Sequence, residues 1–507
     1  MVKKQQYEDY FLTVRGLFLY ITMSGVKEGL ASLLNKKIED ITMKKIVLSI
    51  AGVMAAAAFA PDASAVPVFA RQTGMACSAC HFQHFPLLNA FGRAFKEGGF
   101  TMMGAEPKVE GDNLSIPAYL NVAVLTSMGY IKTNQTADTS GVTKNYGNGV
   151  WGVPGVSGGG GDGEASLFVG GHVSDFAGFL SEITLGGAGA ALDSAKLPML
   201  YDMGTAKIGV VPFATNAQGA SYSMEVANTG ANAVHSITNT VGPTGEFINA
   251  VSAQQYINTA GNATGLGFVA NSDMGLINIT KYQQTGIATG GYASLGSTYA
   301  RVLGTFTVGD WDTAIGAQNW SGASLAGNLN GAGVPAALAA QSGTIASNAV
   351  GTEMRATKAW AVDGQMQGSL GGMPVGFYAS YARAPAVMAG GVNINTFQDA
   401  NGGGANATLT RSSFNVDAEL GVVPEVATIG AAIRRGKSGI ADAAGNNLSD
   451  NAFYLTATYK LQQNMLARLS WVKQSGGYWD NQNINGGGTN AQVMGTQTTE
   501  LNMYVLF

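Results

Sequence analysis

The chain has 507 residues, a formal net charge of −4 and no long basic run, so it carries no electrostatic footprint for nucleic acid. Its 71 glycines are about twice ordinary usage and charged residues are only 12%, which excludes collagen and ordinary disorder and points to many turns and short strands. With two cysteines in all, a disulfide framework is excluded as well.

In chain order, the first expected element is an export signal. Met43-Lys44-Lys45, the apolar stretch Ile46 to Ala60, and Ala63-Ser64-Ala65 supply charged, hydrophobic and cleavage regions in sequence. Residues 43–65 therefore read as a signal peptide, with Val66 as the mature N-terminus. The competing reading, a membrane anchor, has about 15 apolar residues where a spanning helix needs ~20. Residues 1–42 place Glu8, Asp9, Lys27, Glu28, Glu39 and Asp40 ahead of the signal. That pattern is expected of an upstream extension or a mis-assigned start, with translation beginning at Met43; a long leader is the alternative. No later stretch is apolar enough for a transmembrane helix, leaving a periplasmic protein or an outer-membrane barrel.

Residues 66–112 carry the chemistry. Cys77, Cys80 and His81 form a CxxCH motif: two thiols one helical turn apart to take up vinyl groups, and an adjacent histidine to reach the iron. One covalently attached haem c is the expected cofactor, with His81 as proximal ligand. A zinc site would need a second ligand pair at loop distance, and a thioredoxin-like pair would lie near a βαβ pattern; neither is present. Beyond the motif, Phe85-Pro86 is expected to open a helix whose Leu88, Phe91 and Phe95 form one apolar stripe over a haem face, with Gly98 and Gly99 ending it. For the sixth iron position Met102 and Met103 are the candidates, in a chain with 19 methionines. His84 reads as a polar neighbour or surface residue, His172 and His235 as surface or lumen lining. Arg93 is either a haem-propionate partner or a solvated helix charge.

From Asn113 to Phe507 the pattern alternates with period two. Leu501, Met503, Val505 and Phe507 share one face and Asn502 and Tyr504 the other, ending in an aromatic as the last strand of an outer-membrane barrel does. Strand pairs are expected at Phe453–Lys460 with Met465–Lys473, at 357–370 with 375–383, at 414–422 with 426–434, and at 167–173 with 178–185. Short turns alternate with long connections such as 216–262 and 321–351, the asymmetry of a bacterial barrel. A soluble sandwich or β-helix offers no reason for that ending or for Trp311, Trp360, Tyr381 and Trp471 near strand ends. The expected fold is mainly β: a transmembrane antiparallel barrel of about sixteen strands with a short α-helical c-type cytochrome segment at its N-terminus, plugging the lumen.

The run Phe69-Ala70-Arg71-Gln72-Thr73-Gly74 through Cys77 to His81, then Phe85-Pro86, Leu88-Asn89, Phe91-Gly92-Arg93, Phe95-Lys96 and Gly99-Phe100, resembles the fused monohaem cytochrome-porins of iron-oxidising bacteria. The order of signal, short cytochrome and long barrel is similar too. That resemblance implies haem attachment at Cys77 and Cys80, His81 as proximal ligand, and an oxidoreductase that oxidises Fe(II) at the cell surface.

The expected arrangement puts the haem partway through the membrane, taking an electron from extracellular Fe(II) near the outer rim. It would pass the electron to a periplasmic c-type cytochrome or copper protein. Asp310 and Asp312, flanking Trp311, read as a solvated charge pair or an aqueous donor loop. Two rivals stand beside this: a haem-plugged conduit for a different extracellular donor, and a diffusion porin with an accessory cytochrome segment.

Overall fold

Strands that alternate polar and apolar side chains need two different media on their two faces, and a sheet closed on itself supplies them. The computed structural model describes residues 68–136, 146–154, 163–186, 189–216, 218–229, 252–284, 295–325, 354–389, 392–398, 407–481, 492 and 495–507. Among these residues, counting each interrupted strand once, sixteen antiparallel strands form a closed barrel. They are β1 (Val122–Thr133), β2 (Val150–Gly152 continued by Ala165–Ser174), β3 (Ala177–Gly186), β4 (Gly189–Lys196 continued by Met199–Asp202), β5 (Lys207–Thr215), β6 (Ala263–Ser272), β7 (Gly275–Gln283) and β8 (Ser297–Val308). Then follow β9 (Trp311–Leu325), β10 (Met354–Ala356 continued by Ala359–Leu370), β11 (Met373–Ala384), β12 (Arg411–Val423), β13 (Ala427–Ala441), β14 (Asn447–Gln462), β15 (Met465–Ser475) and β16 (Gln497–Leu506). The ring closes where β16 meets β1, with Leu501 opposite Tyr130 and Val505 opposite Thr126.

The faces are inverted relative to a water-soluble barrel. On β12, Arg411, Ser413, Asn415, Asp417 and Glu419 are enclosed while Phe414 is exposed between them. On β7, Asn278 and Thr280 are enclosed while Ile277 and Ile279 are exposed. An apolar outer belt around a polar lumen suits lipid outside and water or protein inside, which is the outer-membrane barrel pattern. No helix of the described residues is long and apolar enough to cross a membrane.

Turn chemistry sorts the two ends. The β10–β11 hairpin turns on Gly371 and Gly372, whose φ values of 60° and 82° are the pair of positive angles that a two-residue type I′ turn requires and that L side chains resist. Two-residue turns at Asp175-Phe176, Asp273-Met274, Gly309-Asp310 and Gln463-Asn464 lie at the same end. Most connections at the opposite end are long.

The four expected strand pairs are present as β2–β3, β10–β11, β12–β13 and β14–β15. β13 runs on to Ala441, beyond the expected Arg434, because Gly436 and Ser438 keep the enclosed register. Residues 321–325, expected to begin a long connection, are instead the end of β9. Part of the stretch 216–262, expected as an outer loop, folds inward. Met224 to Thr229 is wholly buried, with Val226 and Ala227 packed against Val211, Val269, Leu276 and Leu303 of the inner wall. The expected signal peptide, residues 1–42 and His235 lie outside the described residues.

Residues 68–121 precede the barrel strands. Three short helices, α1 (Val68–Thr73), α2 (Cys77–Cys80) and α3 (Ala90–Glu97), lead into a small hairpin of Lys108–Gly111 with Leu114–Pro117. The expected helix start at Phe85-Pro86 is corrected: α3 begins at Ala90. The Asn89 side chain accepts the Gly92 N–H at 2.8 Å and so caps the helix there. Leu88 is therefore off the helix, its N–H donated to Asn228 Oδ1 at 2.8 Å, and Phe91 is exposed rather than part of a buried stripe. Gly98 caps the C-terminal end as expected, and Gly99 follows with φ 73°.

Candidate functional site

A single turn of helix brings Cys77 and Cys80 to the same side, since residues three apart share a helix face. The His81 N–H closes that turn on the Cys77 carbonyl at 2.9 Å, and His81 then pairs as an extended residue with Leu88. Its ring Nδ1 lies 3.1 Å from the Leu87 carbonyl, a contact only a protonated Nδ1 can make. Nε2 is thereby left with its lone pair, the arrangement that second-shell carbonyls impose on metal-binding histidines. Burial pushes the His81 pKa down to about 4, against the opposing pull of the Leu87 carbonyl, so the ring is neutral at physiological pH. Both thiols are unpaired, and burial pushes each above its ordinary value.

The approach of α2 to α3 depends on Gly92, where a Cβ would lie 2.1 Å from the Cys80 carbonyl oxygen. Asn89 Nδ2 donates to the Ala79 carbonyl at 3.0 Å and ties the same two helices. Beside them Phe69 stacks on Phe100 at 4.6 Å between ring centroids and meets Phe95 edge-on at 5.1 Å.

These groups open on a cavity of about 490 Å³, within the usual size range of ligand and cofactor pockets. Cys77, Cys80, His81, Phe69, Phe95 and Phe100 line one side; Leu125, Phe168, Leu180, Leu466, Tyr504 and Leu506 of the barrel wall line the other. Four basic side chains, Lys96, Lys196, Lys460 and Arg468, and two acidic ones, Glu164 and Glu182, also line it. Cys77 lies beside Lys460 and Gln463 at the β14–β15 turn. The motif therefore sits at the short-turn end of the lumen, nearer one mouth than the expected position partway through the barrel. The physical reason is visible in the contacts that hold residues 83–101, nearly all with inner-wall groups near short turns. Gln83 Nε2 donates to the Pro374 carbonyl at 3.4 Å, His84 Nε2 lies 2.6 Å from Glu419 Oε1, and Asn271 Nδ2 donates to the Glu97 carbonyl at 2.9 Å. His172 Nδ1 lies 2.9 Å from the Thr101 carbonyl oxygen.

The remaining candidates are distributed as follows. His84 is buried, with Nδ1 2.7 Å from the Phe85 carbonyl oxygen and Nε2 on Glu419, so both nitrogens are engaged. Arg93 is neither solvated nor in the cavity lining; it forms a forked ion pair with Asp312, each contact 2.8 Å. That pair also corrects Asp312, which serves as an anchor at the β8–β9 end, while Asp310 remains exposed in the turn. Met102 and Met103 are not among the cavity-lining residues, and the Met102 carbonyl accepts from Gln72 Nε2 at 2.7 Å. Met75 and Met465 do line it. Among the described residues no three His, Cys, Asp or Glu side chains converge as a set able to hold a bare metal ion.

Sequence reasoning missed the barrel's share of the cavity. The signal was present in the alternation of β15, where Leu466, Arg468 and Ser470 share the enclosed face. The inward segment was missed entirely, because Met224-Glu225-Val226-Ala227-Asn228-Thr229 is short and lies within a long Gly/Ala/Asn/Thr-rich connection that reads as a loop.

No protein-family model matches the chain, and no curated protein matches it. Among solved structures it is similar to outer-membrane OmpT of Vibrio cholerae, with 11% identity, a TM-score of 0.41, and coverage of 79% of this chain and 100% of that one. It is also similar to an anion-selective porin from Comamonas acidovorans, with 12% identity, a TM-score of 0.40 and coverage of 77% and 99%. OprB of Pseudomonas putida gives 11% identity, a TM-score of 0.43 and coverage of 77% and 94%. Likeness at this level adds nothing to the strand register, which by itself carries the assignment of a closed antiparallel barrel.

Proposed function

We propose that the chain is an outer-membrane electron-transfer protein that carries one c-type haem in its lumen and oxidises extracellular Fe(II). The observation that supports this most is the neutral, carbonyl-oriented His81 beside two unpaired thiols at a largely apolar cavity lined by barrel and helices. Cys77 and Cys80 would hold the haem and His81 its iron, and the bound group supplies a one-electron couple between Fe(II) and a periplasmic acceptor.

The rest is the chain's own contribution. Phe69 and Phe95 on one side of the cavity and Leu125 and Leu466 on the other limit its contact with water, and the Leu87 carbonyl fixes the imidazole plane. Arg93, His84 and Gln83 hold the segment against the wall, so the site does not swing with solvent. The acceptor side is short: the cysteine turn lies beside the Gln463-Asn464 turn, within reach of a periplasmic c-type cytochrome or copper protein docking at that end. The donor side is long, and Glu164 and Glu182 lie along it on the cavity wall, where carboxylates favour an approaching divalent cation.

Anaerobic stopped-flow mixing of oxidised, haem-loaded protein with Fe(II) tests this. Reduction visible in the Soret and α bands is the expected result. Absence of reduction by Fe(II), with ready reduction by dithionite, would turn the assignment toward a conduit for another donor. A diffusion porin with an accessory N-terminal segment is the second reading, favoured by the sixteen-stranded closed barrel with a segment folded into its lumen. Liposome swelling separates the two, since rapid sugar entry supports the pore.

A further inference from the structure

We infer that Arg468 receives the carboxylates of the covalently held group and fixes their charge state. This rests on the haem reading and deepens it. Arg468 stands on β15 and lines the same cavity as Cys77, Cys80 and His81. It is 2% exposed, and its Nε has no hydrogen-bond partner. The comparably enclosed arginines are matched within the wall: Arg301 bridges Asp363 at 2.7 Å and Arg434 bridges Asp450 at 2.8 Å. Among the described residues Arg468 makes no ion pair; its guanidinium lies 5.5 Å from the Tyr504 ring centroid, and its cross-strand neighbours Thr458 and Asn502 are neutral.

A guanidinium removed from water without a counter-charge is strongly disfavoured, and a ligand that brings the charge removes the penalty. A c-type haem has its vinyl groups on one edge and two propionates on the edge away from them. The cysteine that takes a vinyl group lies beside Lys460 and Gln463 at the foot of β15. Arg468 is three residues up that strand from Met465, about 10 Å at the usual rise. The planar fork of arginine suits a carboxylate better than the point charge of lysine does.

The test uses the full-length, haem-loaded protein in detergent and reads the midpoint potential against pH. With Arg468 present, the propionates stay ionised and the potential is flat between about pH 5 and pH 8. Arg468→Gln removes the cation, raises the propionate pKa by about one to three units, and introduces a falling segment within that range. Arg468→Lys, which keeps the charge, restores the flat profile. A flat profile in Arg468→Gln with haem content intact overturns the inference.

A second measurement needs no variant. In resonance Raman spectra the propionate bending mode of the unaltered protein shifts between water and deuterium oxide when a guanidinium N–H is its partner, and an unshifted mode overturns the assignment. Failure of the haem reading itself looks different: the unaltered protein, purified from cells competent in haem attachment, gives no pyridine haemochrome spectrum at all.

Discussion

Replacing Arg301 by alanine should open the lumen. Arg301 donates from Nη1 to Asp363 Oδ2 at 2.7 Å and from Nη2 to Asp363 Oδ1 at 2.9 Å, and Nη2 lies 3.4 Å from Glu225 Oε1. Glu225 belongs to the inward segment, so one guanidinium neutralises a wall carboxylate and a segment carboxylate together. All three side chains are at most 1% exposed. Truncation leaves Asp363 with Gln318 Nε2 at 2.7 Å and Thr229 Oγ1 at 2.9 Å, but with no cation between it and Glu225. Breaking an enclosed pair from one side is worth roughly 3–5 kcal/mol of destabilisation. Against it, the segment keeps the packing of Val226 and Ala227, roughly 1.5–3 kcal/mol for a buried valine and less for the alanine. The segment also keeps the Asn228 hydrogen bonds to Gln365 and to Leu88, at 2.7 and 2.9 Å, so the electrostatic loss should loosen it and make its departures from the wall more frequent without freeing it outright. Single-channel recording in planar bilayers reads this directly as raised conductance relative to the parent protein. Replacing all three together, Arg301→Met with Asp363→Leu and Glu225→Gln, leaves no uncompensated charge and should return the parent conductance. If Arg301→Ala conducts and melts as the parent does, the ion cluster does not hold the segment and the reasoning fails.

Three further outcomes follow from the inner segment. Gly92→Ala drives a methyl group into the Cys80 carbonyl, so covalent haem content should fall severely while the barrel keeps its heat-modifiable mobility on gels. Asn89→Ala removes the α3 cap and the tie to Ala79, a loss of about 1–2 kcal/mol that should lower the thermal midpoint followed in the Soret band. Burial raises the Glu97 pKa from 4.5 to about 7. The folded state then holds a proton that the unfolded chain has released, so Glu97 contributes stability below about pH 4.5 that is lost as pH rises through about 7. Glu97→Gln should flatten that part of the urea-stability profile, and an unchanged slope would count against it.

Much of the barrel could be read from the chain because one rule, period-two alternation, governs it from Val122 to Leu506 and does not depend on distant partners. The four strand pairs were legible for that reason, and the turn that brings Cys77, Cys80 and His81 together was legible because its residues are contiguous. What could not be read depended on residues far away in sequence. Nothing near Arg93 announces Asp312, 219 positions later, and nothing near His84 announces Glu419. Proline tolerance in a first helical turn favoured Phe85-Pro86 as the start of α3, but Leu87 and Leu88 are engaged by His81 and Asn228, and the Asn89 side chain sets the boundary. Lumen-facing Arg, Asp and Glu look like surface residues in a sequence, so only ring closure shows that Arg301, Arg434 and Arg468 are enclosed.

The seam of the ring has a temporal consequence. Phe507 and Val124 exchange both backbone hydrogen bonds at 3.0 and 2.6 Å, and Leu125, Tyr504 and Leu506 on either side of that junction are also walls of the cavity. Zipping the first strand to the last thus completes the chamber as well as the cylinder. If the haem proposed above is the occupant, attaching it before the two margins meet would spare it passage into a walled chamber, so that loading would come before sealing.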